Sequence, residues 1–175
     1  HTATLLNSSK VLVTAGDTGS SPTAACEIYD PSTSLWTITA NMTTTLEYHT
    51  ATLLNSGKVL VTGGFTQAPS TASCELYDPS TSQWNTTASM AIPHYSHTAT
   101  LLNSGKVLVT GGYGISPSTA TCEIFDPSTS LWTTTANMTT ARYSHTATLL
   151  NSGEVLVTGG YTGSSAIATC EKYYM

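Results

Sequence analysis

The chain repeats itself with a period of 48 residues. His1, His49, His97 and His145 each open the run His-Thr-Ala-Thr-Leu-Leu-Asn-Ser. Cys26, Cys74, Cys122 and Cys170 keep the same spacing, and so do Trp36, Trp84 and Trp132. A fixed period of this length marks one supersecondary unit copied along the chain. Residues present in every copy serve the fold of the unit, so recognition is to be sought where the copies differ.

Residues 49–96 show what one unit becomes. His49 to Leu54 alternates small polar and apolar residues and is rich in Thr, which predicts a strand. Asn55-Ser56-Gly57-Lys58 predicts a tight turn, with Gly57 free to take positive φ. Val59-Leu60-Val61-Thr62 is an unbroken aliphatic run, as expected of a strand covered on both faces. Gly63-Gly64 ends it where the backbone needs unusual dihedrals or close approach, and Phe65 to Ser73 is expected to be a loose connection. Cys74-Glu75-Leu76-Tyr77 predicts the third strand. Asp78-Pro79-Ser80-Thr81 predicts a turn, Asp bonding the backbone ahead and Pro presetting φ. Trp84 then opens a fourth strand expected to reach about Met90. Such a four-stranded antiparallel meander has two apolar faces and can bury neither alone. Stacking the copies around an axis covers both, which is a β-propeller, and the Trp suits the interface between blades. The expected fold class is therefore all-β, with blades at 1–48, 49–96 and 97–144 and a three-stranded partial blade at 145–175, together one partial propeller domain.

The set Gly63-Gly64, Glu75-Leu76-Tyr77-Asp78-Pro79 and Trp84 resembles the Kelch repeat, and it recurs at Gly111-Gly112, Glu123 to Pro127 and Trp132. The first copy departs from it with Ala15-Gly16, and the last copy reads Cys170-Glu171-Lys172-Tyr173-Tyr174-Met175, without the Asp-Pro turn or the Trp strand. The resemblance implies a Kelch-type propeller, a family commonly of six or seven blades whose rings close by mixing strands from the two chain ends. By that analogy the last unit is expected to be completed by a strand from sequence before His1, or by another copy. The resemblance also implies a protein partner, although fold alone does not fix function.

Composition narrows the function. Charged residues are 9% of the chain and the formal net charge is −5. With five Lys and Arg and no basic cluster, nucleic-acid binding is not expected, and no apolar stretch is long enough for a membrane span. Low charge and Thr richness point outside the cell, with the cytoplasm as the alternative. Four equivalent His could suggest a metal ring, but strands from separate blades hold them too far apart to converge on one ion, so a hydrogen-bonded structural role is preferred. Equivalent Cys in adjacent blades lie too far apart for disulfides and are expected to be small buried thiols. No nucleophile–base pair or phosphate loop is present. The expectation is no catalytic residue, no metal and no cofactor. A galactose-oxidase-like copper enzyme, a type that shares such blades, is the third and least favoured reading.

In an up-and-down blade the loops alternate between the two faces of the disc. The first-to-second and third-to-fourth connections are nearly invariant among copies, whereas the second-to-third loops and the inter-blade links diverge. The divergent face collects Phe65, His94, Tyr95, Tyr113, Arg142, Tyr143 and Tyr161. Tyr and Arg are common binding anchors, and loops on a rigid scaffold are the usual place for recognition. The first functional reading is thus a non-catalytic binding module using this face. The alternative is a self-associating building block of an extracellular fibre or coat, its partner being further copies of the same repeat. Asn7, Asn41, Asn85 and Asn137 each begin an Asn-x-Ser/Thr triplet and are candidate glycan acceptors in a secreted protein.

Overall fold

Each Val-Leu-Val-Thr run becomes the second strand of an antiparallel sheet, flanked in space by its neighbours in sequence. The computed structural model describes residues 1–67, 70–114 and 118–174. The first sheet holds β1 (Thr2–Leu5), β2 (Val11–Asp17), β3 (Pro22–Asp30) and β4 (Leu35–Ile38). The second holds β5 (Thr50–Leu53), β6 (Val59–Thr62), β7 (Cys74–Asp78) and β8 (Gln83–Thr87). The third holds β9 (Thr98–Leu101), β10 (Val107–Thr110), β11 (Cys122–Asp126) and β12 (Leu131–Thr135). The fourth has three strands, β13 (Thr146–Leu149), β14 (Val155–Thr158) and β15 (Cys170–Tyr173). Register is preserved between copies, with Thr2 opposite Thr14, Thr50 opposite Thr62, Thr98 opposite Thr110 and Thr146 opposite Thr158. These sheets are the blades of a propeller, and no helix among the described residues is long and apolar enough to cross a membrane. The inner strands lie side by side, β1 by β5, β5 by β9 and β9 by β13.

The core lies between blades. Val59 and Tyr77 pack on Leu6 and Leu12; Val107, Val109 and Phe125 on Leu54 and Leu60; Val155, Val157 and Tyr173 on Leu102 and Leu108. Alternate residues of one strand thus face opposite neighbours, which is why the second strands are apolar throughout. Burial follows the neighbour and not the letter. Cys26, Cys74 and Cys122 are buried, but Cys170 is exposed. The expectation of four buried thiols is met at three; Cys170 is exposed, no later sheet covering it among the described residues.

Polar groups seal each joint. His49 Nε2 lies 3.0 Å from Thr2 Oγ1 and 3.2 Å from Thr14 Oγ1. His97 meets Thr50 and Thr62 at 3.0 Å each, and His145 meets Thr98 and Thr110 at 3.2 and 3.1 Å. The repeated Glu accepts two main-chain amides from the preceding blade. Thr43 and Thr44 donate to Glu75 at 2.9 and 3.1 Å, Ala91 and Ile92 to Glu123 at 2.8 and 3.2 Å, and Thr139 and Thr140 to Glu171 at 2.6 and 3.1 Å. Trp84 Nε1 donates to the Ala40 carbonyl and Trp132 Nε1 to that of Ala88, both at 2.9 Å. Because Ala88 turns its carbonyl to the next blade, the fourth strand stops at Thr87 and does not reach Met90, which is buried in the link instead.

One further expectation changes. The Phe65 to Ser73 connection is pinned at its base, since Phe65 bridges Ser70 and Thr71 N donates to the Gly64 carbonyl at 3.0 Å. Residues 68–69 and 115–117, inside two of the divergent loops, lie outside the described residues. Ala15-Gly16 makes the same bend as its Gly-Gly counterparts, with φ of 50° and 113° against 57° and 114° at Gly63-Gly64.

Candidate binding face

Each inter-blade link pairs with the second-to-third loop of the blade it leads into. Tyr95 and Tyr113 exchange main-chain hydrogen bonds at 2.9 and 2.8 Å, and Tyr143 and Tyr161 do so at 3.0 and 2.9 Å. Glu47 and Phe65 exchange theirs at 3.0 and 2.8 Å. The links are also tied to one another, since Ser96 N donates to the Tyr48 carbonyl at 3.0 Å and Ser144 N to that of Ser96 at 2.8 Å. Tyr48, Ser96 and Ser144 occupy equivalent places, each in the left-handed region with φ of 54°, 51° and 51°.

This pairing sets aromatic rings in a row. Ring centroids are 5.5 Å apart for Phe65 and Tyr95, 5.1 Å for Tyr95 and Tyr113, 5.4 Å for Tyr113 and Tyr143, and 5.8 Å for Tyr143 and Tyr161. Such separations fall in the range where aromatic pairs attract beyond simple area burial. Tyr48 joins the row at 6.1 Å from Tyr95. Tyr48 is 58% exposed and Tyr161 49% exposed, whereas the residues between them in the row are half-buried. Burial, together with the neighbouring Tyr113 and Tyr143, pushes the Tyr95 phenol above its ordinary range. Tyr48 is absent from the residues singled out by sequence. The signal was a one-residue offset, since Glu47 stands where the other links carry Tyr95 and Tyr143.

His94 and Arg142 do not belong to this surface. Both are wholly buried, at the position that Leu46 fills in the first link. Arg142 Nη1 donates to the Gly159 and Thr169 carbonyls at 2.9 Å each, and Nη2 donates to Glu171 Oε1 at 2.6 Å. The guanidinium thus ties the third blade to the base of the fourth blade's loop. His94 Nε2 stands 3.5 Å from Glu123 Oε1, too long for a well-formed hydrogen bond. Burial alone would raise the Glu123 carboxyl, but His94 and the Ala91 and Ile92 amides outweigh it and hold it below its ordinary value. One position therefore carries an aliphatic side chain, an imidazole and a guanidinium at successive joints, the last two beside the repeated Glu.

Asn7, Asn41, Asn85 and Asn137 are all exposed. Asn41 and Asn137 sit two residues before Thr43 and Thr139, whose amides are held by Glu75 and Glu171. Among the described residues, no group of three His, Cys, Asp or Glu is placed to hold a metal ion. Burial pushes the Cys74 thiol up to about 12 and the Cys122 thiol up to about 11, away from the thiolate a nucleophile needs.

The Kelch motif pattern matches residues 7–43, 48–91 and 94–139. Among solved structures, that of YjhT is similar, with a TM-score of 0.76 at 17% sequence identity over 90% of this chain. At that identity the likeness is one of fold. The chain spans 58% of the length of YjhT. No curated protein matches it by sequence.

Proposed function

The chain belongs to the Kelch family, and from that premise we propose that it is a non-catalytic binding module whose aromatic row recognises a protein partner. The observation that carries this reading is the continuity of the row. Tyr48, Phe65, Tyr95, Tyr113, Tyr143 and Tyr161 come from four successive repeat units, yet each ring stands against at least one other in the row. Their backbones are held by paired main-chain hydrogen bonds, so little ordering remains to be done on binding. Rigid rings with a hydroxyl at the tip give large amphipathic contact area at low entropic cost. His94 and Arg142 act beneath the row as supports.

A displayed random peptide library panned on the chain supplies a probe. Peptides selected on the wild type are expected to bind a Tyr113→Ala, Tyr161→Ala double variant at least tenfold more weakly, a loss of about 1.4 kcal/mol. Lys106→Ala, on the opposite face, leaves binding unchanged. Undiminished binding to a folded double variant moves the site away from the aromatic row.

A further inference from the structure

We propose that the aromatic row docks a proline-rich segment that carries Arg or Lys at one end. This rests on the row being the binding face, and it adds the chemistry of the partner.

The main chain along the row is already spent. Tyr95 and Tyr113 exchange a pair of hydrogen bonds, as do Tyr143 and Tyr161, and the Tyr48 and Ser96 carbonyls each accept the amide of the next link. A peptide therefore finds no open strand edge here, and addition to a sheet is closed to it. From Phe65 to Tyr161 the ring centroids are 5.1 to 5.8 Å apart, so the rings touch and leave no gap for the Leu or Ile anchors of an amphipathic helix. Successive rings are tilted by 58°, 41°, 90° and 28°, which breaks the shared plane on which a linear glycan would lay its flat faces. A polyproline II segment meets each of these conditions. It has no internal hydrogen bonds, its prolines bring no amide that needs an acceptor, and its shape is preformed. Its carbonyls need donors, and the row supplies them. The Tyr77 and Tyr173 hydroxyls are spent on Thr39 and Thr135, but among the described residues the phenols of the row make no such bond.

The row also has an acidic end. Positions 65, 113 and 161 follow the second strands, and positions 95 and 143 lie in the links between them. In the same register Asp17 and Glu47 come before Phe65, where later units carry rings. Asp17 is exposed and Glu47 half-buried, and neither makes an ion pair among the described residues. The chain's own cations are committed elsewhere. Lys10, Lys58 and Lys106 pair with the turn Asp of their own blades, Lys172 pairs with Glu154, and Arg142 is buried against Glu171. The face is thus aromatic along its length with two unanswered carboxylates at one end. An Arg or Lys placed there meets both them and the exposed Tyr48 ring, a favourable site for a cation.

Fluorescence anisotropy with two labelled peptides tests this, one of two Arg followed by about eight Pro and one in the reverse order. At least one is expected to bind the wild type about tenfold or more tighter than control peptides with Glu for Arg or Gly-Ser for Pro. Asp17→Asn with Glu47→Gln is expected to weaken that peptide about threefold or more near about 50 mM salt and to change little near about 500 mM. Circular dichroism checks folding, and if this variant misfolds, the Glu-for-Arg peptide on the wild type reads the same charge. A wild type that prefers neither Arg-Pro peptide over the controls, a folded carboxylate-free variant that binds undiminished at low salt, or cellohexaose displacing the bound peptide would each overturn the proposal. Library-selected peptides that depend on Tyr113 and Tyr161 but lack proline would overturn this partner class and leave the row as the binding face. Selected peptides indifferent to Tyr113 and Tyr161 would remove the face itself, and this partner with it.

Discussion

At Gly111 a single methyl group decides whether a joint closes. Its φ is 58°, and an added Cβ would lie 2.5 Å from the Arg142 carbonyl oxygen and 2.8 Å from His145 Cε1. Gly111→Ala therefore combines left-handed strain of about 1–2 kcal/mol with a main-chain clash, and is expected to lower stability in urea by about 2–4 kcal/mol. A loss under about 0.5 kcal/mol would show that the link can move aside. The Gly-Gly pair was legible in sequence because the left-handed bend leaves a residue-specific mark. The roles of His94 and Arg142 were not. Both sit in divergent links among exposed tyrosines, and only the packed chain shows that their side chains turn inward.

The repeated Glu shows how one element depends on the next. Glu123 is buried and accepts two amides of the preceding blade's exit, whereas Glu27 is exposed at the same repeat position. Glu123→Ala leaves those two amides without their buried acceptor, at an expected cost of about 2–4 kcal/mol. Glu27→Ala should fall within about 0.5 kcal/mol. Denaturant midpoints of the two variants measure the contrast, and equal losses would mean that the carboxylate acts within its own blade. Strand order, turn positions and the apolar second strands were readable from local pattern. Where the fourth strand ends was not, because the Ala88 carbonyl leaves the ladder for a Trp 44 residues away.

For the whole molecule, acid should unfold the chain from several joints at once. Burial, with the nearby N-terminal charge, pushes His49 down to about 4; burial and Arg142 do the same to His145; His97 is pushed well below its ordinary 6.5 by burial and the neighbouring histidines. The unfolded chain takes up these protons near pH 6.5 and the folded one does not, so stability falls as pH drops from about 6.5 towards 4. Asp30, Asp78 and Asp126 are held at about 2 against 3.8, by the Ser32, Ser80 and Ser128 hydroxyls first and by Lys10, Lys58 and Lys106. Their contribution is complete above 3.8 and is lost as pH falls towards 2. Melting temperatures between pH 8 and pH 3 check this, and a profile flat from pH 7 to pH 4 would contradict neutral, buried imidazoles.

The sequence by itself determined the period, the order of strands within each unit and the need for radial stacking, because apolar spacing and turn chemistry act over a few neighbouring residues. Only the tertiary structure decided which copies of the same residue are covered. Cys26 is buried and Cys170 is not, and Glu75 is sealed while Glu27 faces solvent. The physical reason is that each sheet's apolar faces are closed by another sheet, so burial belongs to the joint and not to the letter.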